Sequence, residues 1–192
     1  MLVLIIGLVV FLGVHSTRIV ADDWRSARLA SMGENRWKGI YSLASLVGFG
    51  LIIWGYSLAR QEPTVLWNAP VWSRHLASLL VLGSFVLFAA AYVPRNHFKS
   101  AIGHPMFAGV KLWALGHLLS NGMLADLLLF GSFLVWAALG FRSARARDRK
   151  AQVSYPPGSV GGTVVTIVAG VAAWAIFAWF LHRPLIGVAP LG

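Results

Sequence analysis

No cysteine occurs among the 192 residues, which removes disulfides, thiolate metal ligands, cysteine nucleophiles and thioether-bound haem in one step. Any metal must therefore be held by nitrogen or oxygen donors. Acid is nearly as scarce: six Asp and Glu stand against sixteen Lys and Arg, a formal charge of +10. Only 11% of residues are charged while 58% are hydrophobic, so the chain lacks the polar surface that a water-soluble domain needs. HExxH, Walker and dinucleotide glycine fingerprints are missing too. No Ser-His-carboxylate set falls at one membrane depth. Zinc-protease, nucleotide-binding and serine-hydrolase chemistries drop out on that inventory.

Apolar blocks fall at about 1–17, 39–58, 71–93, 105–120, 123–141 and 160–182. Each approaches the length a helix needs to cross ~30 Å of hydrocarbon, the first and fourth being short. The predicted architecture is all-α, a polytopic membrane helix bundle of about six transmembrane helices forming one domain over residues 1–192. The opening MLVLIIGLVVFLGVHSTR has neither a basic n-region nor a small-residue cleavage site, so it reads as a retained first span rather than a signal peptide.

Twelve of the sixteen basic residues fall in the segments 18–38, 94–103 and 142–150. Such clustering fits the positive-inside rule and contact with anionic lipid, and argues against nucleic acid as partner. The first, third and fifth loops are then cytoplasmic and both termini non-cytoplasmic. DDWRSARLASMGENRWKG mixes charge with Trp24, Leu29, Met32 and Trp37, the pattern of an interfacial helix lying on the bilayer, and Gly33-Glu34-Asn35 reads as the turn into the second span.

Polar groups inside the spans are few and therefore informative. Histidines stand at 15, 75, 97, 104, 117 and 182, and Asp126 is the one carboxylate clearly within a span. An ionisable group in lipid is costly and usually faces the bundle interior, and neutral imidazole is the cheapest nitrogen ligand to bury. His117 shares a helix face with Met106, Val110 and Trp113, an apolar and aromatic wall suited to a flat macrocycle, or else it bonds a neighbouring backbone. His104 precedes Pro105 at a helix start. Lys111, ~20° from His104 on the wheel at ~100° per residue, either snorkels to the headgroups or pairs with an anion such as a propionate. His15 ends the first span, His75 enters the third from the opposite side, and His97 and His182 read as solvated and interfacial.

VHSTR, WKGIYSLASLVGFGLIIWGY, SRHLASLLVLGSFVLFAAAYVP and HPMFAGVKLWALGHLLSNGMLADLLLFGSFLVWA closely resemble the NnrU family of bacterial membrane proteins, over essentially the whole chain. The resemblance implies an inner-membrane protein associated with denitrification and nitric oxide metabolism. The family is similar to 15-cis-zeta-carotene isomerase, a haem b membrane enzyme. That similarity implies noncovalent haem b with His15 and His117 as axial ligands. It also implies redox, gas-ligand or isomerase-like chemistry, on nitric oxide or an apolar polyene. Ala114 stands where the isomerase carries a cysteine, so ligand switching through sulfur has no counterpart here. The wider family also carries histidines matching His75, His104 and His182.

Depth ranks the ligands differently. His117 falls ~8 Å from the non-cytoplasmic end of its span and His15 ~20 Å along a helix starting from that side. Straight spans pair His117 with His75, and His15 with His104. The metal-ligand candidates are therefore His117, His15 and His75, with His104, Trp113 and Lys111 as further cofactor-binding candidates. The competing reading is a haem-free membrane helper or transporter in nitrogen-oxide metabolism. Whether the protein is an enzyme, and its oligomeric state, stay open.

Overall fold

The computed structural model describes residues 1–190. They form α1 (Leu2–Val20), α2 (Asp22–Met32), α3 (Glu34–Ala59), α4 (Val71–Tyr92), α5 (His97–Ile102), α6 (Pro105–Ser120), α7 (Leu124–Lys150) and α8 (Val160–Ile176). A π-helical turn, Phe177–Leu181, leads from α8 into the short α9 (His182–Ile186). Among the described residues, α1, α3, α4, α7 and the continuous Val160–Ile186 are long and apolar enough to cross a membrane. All six apolar blocks are helical. The fourth, α6, has 16 residues and at ~1.5 Å per residue spans ~24 Å, short of a full crossing.

The chain clusters into two compact units, Met1–Trp67 with Met123–Trp136, and Asn68–Gly122 with the described residues from Ala137 onward. In the first unit α1 runs antiparallel to α3. Leu4 and Leu8 on one helix and Gly48, Ile52, Gly55 and Ala59 on the other are buried, at the three- and four-residue spacing of a helical stripe. Glycine sets the separation: a Cβ on Gly7 would lie 2.6 Å from Ile52 N, and one on Gly48 2.7 Å from Phe11 N. Lipid tails are as apolar as leucine, so close backbone packing replaces the hydrophobic effect as the force that associates such helices.

The predicted interfacial segment is α2. None of its residues is buried, Trp24 meets the edge of Trp37 at 5.9 Å, and Asp22 pairs with Arg25. Gly33, at φ 82°, breaks the chain between α2 and α3 in a conformation that a side chain would strain.

In the second unit α4 runs antiparallel to α6, with Ser84 Oγ donating to Gly109 O at 2.8 Å and Gly116 against Ala77 O. α8 crosses α4 at Gly170, whose absent Cβ leaves room for the Val86 backbone. Buried Asn96 ties the α4 end to α5: Nδ2 donates to Ala90 O and Val93 O and Oδ1 accepts from Lys99 N. α5 was not expected from hydropathy. The Arg-rich segment 142–150, expected as a connector, continues α7 because Ala, Arg and Lys are strong helix formers and carry positive charge at its C-terminal end.

Candidate functional site

Two histidines in different helices are built the same way. In the second half of α1, five residues before its end, His15 Nδ1 lies 2.7 Å from Phe11 O. Midway along the second half of α6, His117 Nδ1 lies 2.9 Å from Trp113 O. A carbonyl only accepts, so Nδ1 carries the proton in both rings and the lone pair of the neutral imidazole sits on Nε2. Each contact is four residues back along the same helix, where a side chain naturally leans. This is the arrangement by which metal-binding histidines have tautomer and ring orientation fixed. In the first unit His15 stacks on Phe11 at 4.2 Å, with Tyr41 at 5.2 Å and Trp136 at 6.1 Å. In the second, Trp113 lies 5.3 Å from His117.

His104 is held in another way. Its Nε2 donates to Asp148 Oδ2 at 2.8 Å, Tyr155 Oη donates to the same oxygen at 2.8 Å, and Arg145 stands 3.9 Å from it. Tyr155 Oη is also 3.2 Å from His104 Nε2. The set ties the N-cap residue of α6 to the last turns of α7 and to the connector after it. Gly103 permits it: φ is +79°, and a Cβ there would meet Tyr155 Cε2 at 2.8 Å. Burial first, then the hydrogen bond to Asp148 and its negative charge, push the Tyr155 hydroxyl up to about 12, with Arg145 opposing. It therefore remains a proton donor throughout the physiological range. With Nε2 committed to Asp148, His104 reads as a fastening between segments. Sequence reasoning missed Asp148 and Tyr155; the one available signal was a lone aspartate inside the run RSARARDRK.

His75 and His117 do stand at neighbouring levels, since Gly116 packs on Ala77 O. The α4 face turned to α6 carries buried Ser73, Ala77 and Ser84, however, and His75, ~200° away from Ser73 and Ala77 at ~100° per residue, is exposed. His97 Nδ1 pairs with Thr163 Oγ1 at 2.7 Å, and His182 Nδ1 donates to Val188 O. No group of three His, Asp or Glu side chains converges to hold a metal ion among the described residues.

Asp126, the carboxylate expected to be exceptional, has a structural task. It is 2% exposed, accepts from Tyr56 Oη at 2.6 Å and from Met123 N at 3.0 Å, and so caps α7 while joining it to α3. Asp126→Ala leaves two donors unsatisfied and is expected to cost ~2–4 kcal/mol. Asp126→Asn, which keeps one acceptor oxygen, costs less. Unfolding in detergent, with Tyr56→Phe completing a double-mutant cycle, measures both; additive losses would contradict the coupling.

The family model described as NnrU protein matches residues 3–190, and the chain belongs to the NnrU family. No curated protein and no solved structure gave a match.

Proposed function

We propose that this NnrU-family chain is a multi-pass inner-membrane protein of bacteria that binds haem b noncovalently through histidine, with both termini on the non-cytoplasmic side. The observation that carries the reading is the shared Nδ1-to-carbonyl bond at His15 and His117. It presents Nε2 as the lone-pair nitrogen at the two positions that the similarity to the carotene isomerase singles out. Neutral imidazole suits a buried iron ligand because it adds no charge, and aromatic rings beside each imidazole provide apolar surface of the kind a porphyrin face meets. With cysteine absent, attachment is noncovalent.

Haem iron, when bound, supplies one-electron chemistry and a coordination position for a diatomic ligand such as nitric oxide, or an electronic partner for a polyene. The chain's own share would be to fix two imidazole tautomers from the helix backbone and to set aromatic side chains beside each imidazole. Isomerase or oxidoreductase chemistry would be supplied by the iron, and the residues that would hold it are His117 with His15 or His75. His117 is the first ligand of this reading; the second is His15 or His75, with exposed His75 on the far side of α4 from α6.

Protein produced with haem available and purified in mild detergent is expected to show a Soret band and the α and β bands of low-spin iron on reduction. Folded but colourless protein under those conditions overturns the reading and leaves a haem-free helper or transporter.

A further inference from the structure

The segment that follows α3 exposes three large apolar side chains in a row: Val65 is 56%, Leu66 47% and Trp67 37% exposed. A run of that kind on a loop standing in water is a liability, retained where something apolar covers it. The backbone fixes its level in the first unit. Arg60 N and Gln61 N close the end of α3 onto Tyr56 O and Leu58 O, and the chain turns through Gln61, Glu62 and Pro63, all exposed. Thr64 O then accepts from Leu124 N at 2.9 Å, and Val65 pairs with Met123 in an antiparallel bridge. Leu124 is the first residue of α7, whose opening LADLLLF is apolar apart from the capping Asp126. The bridge therefore holds Val65 level with the point at which a span enters hydrocarbon. Asp126 stiffens the same corner, since its carboxylate accepts from both Met123 N and Tyr56 Oη. Exposed Ile53, Trp54 and Leu58 on the last turns of α3 carry the apolar surface of that span up to the loop. Non-helical backbone cannot lie bare in the hydrocarbon core; at the level of the headgroups water still reaches it, and an indole is favoured there.

We propose that Val65, Leu66 and Trp67 form a strap seated in the bilayer, an interaction surface whose partner is the boundary between lipid headgroups and acyl chains. Gln61 and Glu62 form the crest left in water, and the bridge to Met123 passes the anchorage of the strap to the start of α7. The strap thereby fixes the depth of the end of the first unit at which α3 stops and α7 begins. This surface does not depend on the haem reading.

Because the chain lacks cysteine, a single introduced thiol reports on one position. Leu66→Cys and, as the control on the crest, Glu62→Cys are each labelled with bimane in the full chain and placed in nanodiscs of phosphatidylcholine and phosphatidylglycerol. Acrylamide quenches the label from the water, and lipid carrying a nitroxide near the head of its acyl chain quenches it from the bilayer. The label at position 66 is expected to emit at shorter wavelength than that at 62, to be quenched by the nitroxide lipid and to be protected from acrylamide. The label at 62 shows the reverse. Val65→Cys gives the same comparison should Leu66→Cys not fold. Acrylamide quenching at 66 equal to that at 62 overturns the proposal and leaves the loop in water. Protection at 66 from both quenchers overturns it as well, and assigns the surface to protein, a second copy of this chain or a separate partner.

Discussion

Replacing Gly55 with alanine is expected to destabilise the protein by ~2–3 kcal/mol, while the same substitution at Gly50, five residues away on α3, leaves stability unchanged or raises it. A Cβ on Gly55 would run into the backbone of Leu4, 2.6 Å from its Cα, and stand 2.7 Å from Val3 C. No flexible side chain can swing aside there; one helix must move. Overpacking of that kind costs about 1–3 kcal/mol even in cores that can relax, and two helix backbones in contact relax least. Gly50 has nothing within 4 Å of its notional Cβ, so only helix propensity acts, and that favours alanine by ~1 kcal/mol. The opposite signs matter more than either magnitude, because both variants remove one glycine from one helix in one bilayer. Unfolding by denaturant in micelles reads them; equal effects at the two positions would mean that α1 does not rest on Gly55. Gly7→Ala and Gly48→Ala, whose Cβ atoms meet Ile52 N and Phe11 N, should follow Gly55→Ala.

Much of this architecture is legible from hydropathy because the solvent dictates it: a bilayer of ~30 Å demands long apolar runs, and interior backbone must close its own hydrogen bonds as helix. The six apolar blocks, the unburied α2 and the break at Gly33 follow from that alone. Partner choice does not. Gly55 and Gly50 look identical in the sequence; what separates them is that Leu4 approaches one and nothing approaches the other. His104 likewise acquires its meaning from Asp148 and Tyr155, 44 and 51 positions along the chain, and no local pattern announces them. Level and azimuth also part company at His75. Counting residues puts it beside His117 in depth, but only the packing of Ala77 against Gly116 of α6 reveals that it is turned away. The tautomers of His15 and His117 lie between these cases, since the carbonyl four residues back is always present and only the side-chain rotamer decides whether it is used.

Removal of His117 is expected to abolish the low-spin haem spectrum, and the comparison of His15→Ala with His75→Ala then identifies the second ligand. At both His117 and His15 one orienting contact is to a backbone carbonyl, which no side-chain substitution deletes. Loss of an outer partner alone costs metal sites ~10–100-fold in affinity; loss of the imidazole itself should exceed that, leaving His117→Ala colourless or with weakly held high-spin haem. His15→Ala is expected to give the same spin change, whereas His75→Ala, altering a side chain exposed on the far side of α4 from α6, should leave the spectrum intact. His104→Ala separates fold from ligation. It breaks the tie to Asp148 and Tyr155 and so lowers thermal stability, yet leaves the spin state of any bound haem unchanged, because its Nε2 is already committed to a carboxylate. A spin change in His75→Ala with none in His15→Ala would transfer the second position to His75 and show that the backbone-fixed tautomer of His15 serves packing. A spectrum that survives His117→Ala would remove this residue from the iron altogether.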